Sequence, residues 1–116
     1  MFLELVADKG LLAPDRIALA LRTTKDEVAQ SAGLGRDAVM RQDRIASTKT
    51  QKRLREMIEI INRIEPRFGS GLMAYAWYRS QPLSGFSGLT AMQLTGAGRA
   101  SEVMAFIDAV DAGVHA

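Results

Sequence analysis

TKTQKRLREMIEIINRIE, residues 48–65, is the stretch that decides how the chain folds. Its apolar side chains recur every three or four positions, at Leu54, Met57, Ile58, Ile61 and Ile64. In a helix of 3.6 residues per turn, this spacing gathers them into one apolar stripe. The stretch therefore predicts one long helix from about Thr48 to Glu65, ended by Pro66 because a proline ring disrupts a helix interior.

Shorter helical patterns precede the long helix. Pro14 suits the first turn of a helix, where its missing N–H costs nothing. Thr24 followed by Glu27 is the spacing of a capping box and predicts the start of a second helix. A third, short helix is expected from about Arg36, with Val39 buried.

Helical patterns also follow the long helix, and alternation typical of strands is nearly missing. Helices are expected over about 70–79, from Thr90 to Gly96 and over about 100–112, the last followed by Gly113 in the C′ position. The chain is therefore predicted to be all-α, with an N-terminal helical bundle joined by the long helix to a small C-terminal helical domain. The predicted boundary divides residues 1–65 from residues 66–116.

Composition indicates a globular chain of one compact domain or two very small ones, since 47% of the 116 residues are hydrophobic and 24% are charged. No cysteine is present, which excludes disulfides and thiolate metal sites and suits a reducing compartment. The opening MFLELVADKG is too short an apolar run for a signal peptide or a membrane span. The expected location is the cytoplasm.

Charge is distributed unevenly along the chain. Residues 36–55 hold seven basic and two acidic residues, a local net charge of +5, although the whole chain carries only +2. After Gly98 the balance reverses, because Arg99 is followed by Glu102, Asp108 and Asp111. The middle of the chain is thus suited to a polyanion and the end is not.

Three residues beside this basic segment have the spacing of a helix-turn-helix. Ala29 is small enough for a close helix crossing, Gly33 tolerates positive φ in the turn, and Val39 suits the inner side of the second helix. The same spacing also arises in helix pairs that do not bind DNA. On the DNA-binding interpretation, the groove-facing and phosphate-contacting residues are Arg36, Asp37, Met40, Arg41, Arg44, Lys49, Lys52 and Arg53.

Residues 76–113, AWYRSQPLSGFSGLTAMQLTGAGRASEVMAFIDAVDAG, carry a more specific pattern. Its anchors, in order, are Trp77, Pro82, Leu83, Gly88, Leu89, Thr90, Leu94, Gly96, Gly98, Val103, Ile107, Val110 and Gly113. This run resembles the toxin-binding domain of the Xre/MbcA/ParS antitoxin family. With the preceding helix-turn-helix pattern, the likeness spans nearly the whole chain.

The resemblance implies an all-helical, usually dimeric antitoxin. Its N-terminal half would bind the promoter of its own operon, and its C-terminal half would cover the active site of a RES-domain, NAD-consuming toxin from a neighbouring gene. The residues expected to contact the toxin are Trp77, Pro82, Gly88, Gly96, Gly98, Asp108, Asp111, Gly113, Val114 and His115.

Other interpretations stay open at this point. The chain has one histidine, His115, and no grouping with metal-ligand spacing, so neither an enzyme nor a cofactor is expected. Trp77 is equally suited to filling the core of a small domain. The protein could be a stand-alone helix-turn-helix regulator whose C-terminal half only dimerises. It could also be a neutraliser whose N-terminal half no longer binds DNA.

Overall fold

A computed structural model describes residues 7–8 and 10–113 and confirms the all-α fold. Over these residues a short antiparallel hairpin, β1 (Ala7–Asp8) and β2 (Leu11–Leu12), precedes the helices. The helices are α1 (Pro14–Ala20), α2 (Lys25–Ser31), α3 (Asp37–Met40), α4 (Gln42–Ile45), α5 (Thr48–Phe68), α6 (Gly71–Ser80), α7 (Ala91–Gly96) and α8 (Ala100–Asp111). The opening FLELV and the predicted contacts Val114 and His115 lie outside the described residues.

The long helix α5 is the centre of the fold, because β2, α4, α6, α7 and α8 all pack on it. The whole predicted stripe is buried, and Ile60, which was not part of it, is fully buried as well. One continuous apolar core extends from Ile17 to Ile107. The two predicted regions, residues 1–65 and 66–116, therefore share a single core. No helix among the described residues is long and apolar enough to cross a membrane.

The predicted end of α5 at Pro66 is wrong. The helix continues to Phe68 and ends at Gly69, whose φ of 68° is left-handed and whose N–H donates to the Glu65 carbonyl. A proline in the last turn removes one backbone hydrogen bond but keeps a helical φ. Because the buried stripe holds the helix up to Ile64, one missing bond near its end does not stop it.

Helix caps explain several of the remaining boundaries. Thr24 caps α2 by accepting a hydrogen bond from the backbone N–H of Glu27, at 3.1 Å. Thr90 and Gln93 form a complete capping box at the start of α7. Gly113 has a φ of 78° just after α8, as its C′ position predicted.

The third helix differs from its expected form. Arg41 is extended, with φ −102° and ψ 130°, and separates α3 from α4. Each of these helices is only four residues long. The segment expected to enter a DNA groove as one helix is thus two single turns with an extended residue between them.

Candidate functional site

The basic segment presents a surface of cations that no carboxylate in the described part of the chain neutralises. Arg44 lies on α4, and Lys49, Lys52 and Arg55 lie on the exposed side of α5. None of the four side chains has an ion pair or hydrogen bond with another described residue. Because α4 packs on α5, these side chains belong to adjoining elements. They are called the cationic surface below.

The position of the cationic surface on α5 is itself informative. Ser47 caps the helix by accepting from the N–H of Thr50, and the first turn contains no acidic residue. The N-terminus of a helix carries a partial positive charge, which favours anions and disfavours cations. Lys49 and Lys52 add two positive charges there. This arrangement is unfavourable in isolation and becomes favourable when a phosphate lies against it.

A buried glutamine fixes the start of α5 against its neighbours. The side-chain amide of Gln51 donates to the carbonyls of Leu12, at 3.1 Å, and Ile45, at 2.9 Å. Its Oε1 accepts from the N–H of Leu12 at 2.9 Å. Three bonds from one buried side chain hold α5, the end of α4 and the hairpin together. Arg44, Lys49 and Lys52 are therefore presented by a rigid framework.

Two of the predicted DNA contacts, Arg36 and Arg41, already pair with a carboxylate, which is an anion like a phosphate. Arg36 pairs with Asp26 at 3.1 Å, with its side chain 73% exposed, and Arg41 lies 3.6 Å from Asp43. Exposed pairs of this type contribute at most about 1 kcal/mol, so a phosphate can replace the carboxylate. Asp37 occupies the first turn of α3 and is exposed.

Two other predicted contacts also touch neighbouring parts of the protein. The guanidinium of half-buried Arg53 donates to the backbone carbonyl of Thr95, at the end of α7. Met40, which is 37% exposed, lines a cleft of about 290 Å³ together with Leu11, Val39 and Ile45. Arg53 thus serves to join the N-terminal helices to the C-terminal region.

A close approach of two glycines makes a second link between the regions. Gly33 has the predicted positive φ, 71°, and its backbone lies against that of Gly96. A Cβ placed on Gly33 would stand 2.5 Å from the Cα of Gly96. Gly33 is therefore required both for its φ and for contact with α7. Gly96, predicted to contact a toxin, packs against Gly33 and is also exposed to solvent.

A polar network between α2 and α6 makes a third link. The Tyr75 hydroxyl donates to the Glu27 carboxylate at 3.0 Å and lies 2.8 Å from the Ser31 hydroxyl. The Tyr78 hydroxyl donates to the Ser31 carbonyl at 2.7 Å. Arg79 pairs with Glu27 at 3.0 Å. A complete capping box would also need the Glu27 carboxylate to accept a hydrogen bond from the backbone N–H of Thr24. Because this carboxylate is bonded to the network, only the first of the two predicted hydrogen bonds forms.

The network shifts the acidity of its members. A hydrogen bond from Thr23, aided by Tyr75 and the charge of Arg79, holds the pKa of Glu27 below its usual value despite partial burial. Burial raises the pKa of Tyr75 to about 12 and raises that of Tyr78 as well. The carboxylate is therefore ionised and both phenols are neutral at ordinary pH.

Most of the remaining residues expected to contact a toxin are at the surface. Trp77 is half-buried on α6, in contact with the core but open to solvent. Pro82 and Gly88 belong to an exposed loop, residues 82–90, whose ends pair as a β-bridge between Pro82 and Thr90. Phe86 attaches this loop to α8 through an edge-to-face contact with Phe106 at 6.1 Å. Gly98 closes the end of α7 with a φ of 80°.

The acidic side chains of α8 are paired with arginines of α5. Arg63 contacts both Asp108 and Asp111, and Arg67 contacts Asp111. The hydrogen bonds from Arg67 and Arg63 lower the pKa of Asp111. Asp108 remains 63% exposed. The acidic face predicted for α8 is thus partly neutralised by its own neighbours.

Sequence reasoning left several of these residues without a role. Arg55 belongs to the basic segment but was not among the predicted contacts, although its place one turn after Lys52 is a sufficient signal. Ser31 and Tyr75 gave no such signal, because they lie 44 positions apart and meet only in the folded chain. Within the described residues, no group of three or more histidine or acidic side chains is placed to hold a metal ion.

The fold and site define a small all-α protein with a rigidly held cationic surface. No family model, curated protein or solved structure matches the chain.

Proposed function

We propose that the protein is a DNA-binding antitoxin. The cationic surface binds double-stranded DNA of its own promoter, and the C-terminal region binds and covers a RES-domain toxin encoded by a neighbouring gene. The cytoplasm is the expected location for both partners. The observation that carries the proposal is the set of four exposed cations, at the start of α5 and on α4, whose side chains pair with no described residue.

The geometry favours contacts with the DNA backbone. Reading base edges in the major groove commonly uses a helix long enough to lie along it. Here α3 and α4 are single turns, and Arg41 between them is extended. Lys49, Lys52 and Arg55 instead recur every three residues on the exposed side of the long helix α5. Phosphate contacts by such residues supply affinity and position the protein, and Arg36 and Arg41 are exposed close by to add further contacts.

Support for the toxin-binding role comes from the ordered anchors between Trp77 and Gly113. Within this run, Trp77 is half-buried and most of the loop at residues 82–90 is exposed, although Leu83 and Thr90 are buried. A half-buried tryptophan combines a large apolar contact area with rigidity, which is typical of interface hot spots. These two features are the proposed contact with the toxin.

A second candidate function is a stand-alone DNA-binding regulator whose C-terminal region only dimerises. Four of the residues expected to contact a toxin have internal roles: Gly96, Gly98, Asp108 and Asp111. The C-terminal pattern would then reflect the packing of this fold. The two candidates share the DNA-binding surface and differ in whether a toxin is bound.

Co-expression with the neighbouring gene separates the candidates. The antitoxin proposal predicts rescue of growth from that gene's toxicity and a stable complex whose mass includes both chains. If the neighbouring gene is not toxic, or if no complex forms, the stand-alone regulator is the remaining candidate. Truncating α8 is unsuitable as a test because Val103 and Ile107 are fully buried.

Point variants at the surface are better suited. Asp108→Ala keeps the Asp111 pairs with both arginines, and Asp15→Ala on α1 is the matched exposed control. Weaker toxin binding by the first variant alone would add Asp108 to the interface.

A further inference from the structure

A cleft of about 290 Å³ lies where the hairpin meets the starts of α1 and α2 and the short helices α3 and α4. Its walls include the apolar side chains of Leu11, Met40 and Ile45. Leu11 is 38% exposed and Met40 is 37% exposed, so two of the five large apolar side chains that are exposed in the described part of the chain line this one cleft. Apolar surface gathered in a concave site is typical of ligand pockets.

The cleft also contains one ammonium group that no described residue neutralises. Lys25 is half-buried at this site, and its side chain has no ion pair or hydrogen bond with a described residue. The side-chain amide of Gln42, on α4, also lines the cleft and bonds to no described residue. Partial burial of a charge without a partner is unfavourable. An anion in the cleft would therefore gain from meeting Lys25.

An exposed carboxylate limits which anions fit. Asp15 lines the same cleft, accepts a hydrogen bond from the backbone N–H of Arg16 at 2.9 Å, and forms no ion pair with Lys25. The lining thus carries one charge of each sign. Phosphates and other dianions would be repelled by Asp15 more strongly than a monoanion, and a cation would be repelled by Lys25.

We propose that this cleft binds a small monocarboxylate with an apolar body, such as a short-chain fatty acid. The carboxylate pairs with the ammonium of Lys25 and accepts from the Gln42 amide, and the hydrocarbon covers Leu11, Met40 and Ile45. Because ligand pockets usually have volumes of about 300–1,000 Å³, a cleft of this size fits a ligand on the order of ten non-hydrogen atoms. The inference goes beyond the proposed function and does not depend on it.

Nuclear magnetic resonance of the isotope-labelled full chain, titrated with hexanoate, tests the proposal. Backbone amide signals of the residues that line the cleft should shift and saturate. The dissociation constant should be on the order of 1 mM, because about eight non-hydrogen atoms support only weak binding. Acetate, which lacks the apolar body, and hexanol, which lacks the charge, should each bind at least about fivefold more weakly. Hexylamine should not bind in the cleft.

Two matched variants test the contact with Lys25. Lys25→Gln should weaken hexanoate binding by about fivefold or more and leave hexanol binding unchanged, because only the anion loses a charged partner. Arg22→Gln removes the same charge from an exposed position that does not line the cleft, and it should bind hexanoate like the wild type. Both variants should keep their helical circular dichroism, because neither side chain has an ion pair or hydrogen bond with a described residue.

Several results would overturn the proposal. One is the absence of saturating shifts at the cleft up to about 20 mM hexanoate, well above the expected dissociation constant. Another is an equal loss of affinity in Lys25→Gln and Arg22→Gln, since the effect would then follow from net charge alone. Hexanol or hexylamine binding as tightly as hexanoate would exclude a carboxylate ligand. Free leucine binding more tightly than hexanoate would show instead that the occupant is a zwitterion that also uses Asp15.

Discussion

Replacing Gly33 by alanine tests whether the N-terminal helices and the C-terminal region form one unit. A residue with a Cβ at a left-handed φ costs about 1–2 kcal/mol. The new Cβ would also stand 2.5 Å from the Cα of Gly96, well inside van der Waals contact. Forcing backbones apart in a packed interior costs about 1–3 kcal/mol more. Gly33→Ala should therefore lower the free energy of unfolding by about 2–5 kcal/mol.

Gly69→Ala is the matched control. Its φ of 68° is nearly that of Gly33, 71°, but a Cβ there would meet no atom within 4 Å. This variant should lose only the conformational part, about 1–2 kcal/mol. Alanine restricts the unfolded chain equally at both positions, so that contribution cancels in the comparison.

Urea unfolding followed by the fluorescence of Trp77, the single tryptophan, measures both variants. For a chain whose total stability is about 5–15 kcal/mol, the predicted difference is easily resolved. Equal losses in the two variants would show that Gly33 makes no tight contact with Gly96, and the reasoning would be refuted.

Three further predictions follow from the site. Replacing Lys49 and Lys52 together by alanine should reduce the slope of log binding constant against log salt for duplex DNA by about 1.8, since each phosphate contact contributes about 0.9; an unchanged slope would remove both from the interface. Arg53→Ala should leave that slope unchanged but lower the urea midpoint, because its guanidinium is bound to the Thr95 carbonyl; a reduced slope with unchanged stability would contradict this. Raising the pH above about 10 should destabilise the protein, because the folded-state pKa of Tyr75 is about 12 and that of Tyr78 is also raised. An unfolded tyrosine loses its proton near pH 10, so the stability that is present below this pH is lost as the pH rises. Urea midpoints that do not fall between pH 9 and 11 would oppose this.

The features predicted correctly from sequence are those encoded locally. The apolar stripe of α5, the caps at Thr24 and Thr90 and the left-handed Gly33 each depend on residues within a few positions of one another. The prediction that α5 ends at Pro66 was wrong because the one hydrogen bond that the proline removes was outweighed by the burial of the apolar stripe before it. Sequence alone could not weigh these two effects.

The features that escaped prediction depend on long-range contacts. Arg53 is a sensible phosphate ligand by type and position, and only the fold brings it to the end of α7. Gly96 likewise gave no sign that another glycine approaches it. The extended conformation of Arg41, which divides the expected recognition helix, also has no marker in its residue type. By contrast, the cationic surface was predictable, because clustered charges in an exposed segment require no tertiary information.

The most direct test of the central claim is fluorescence anisotropy of the duplex DNA upstream of the gene, titrated with the full chain over a range of salt concentrations. The account predicts binding that weakens as salt increases, with a slope of about −3 to −5 from Arg44, Lys49, Lys52, Arg55 and their neighbours. Absence of binding at low salt, or binding whose strength does not depend on salt, would contradict it.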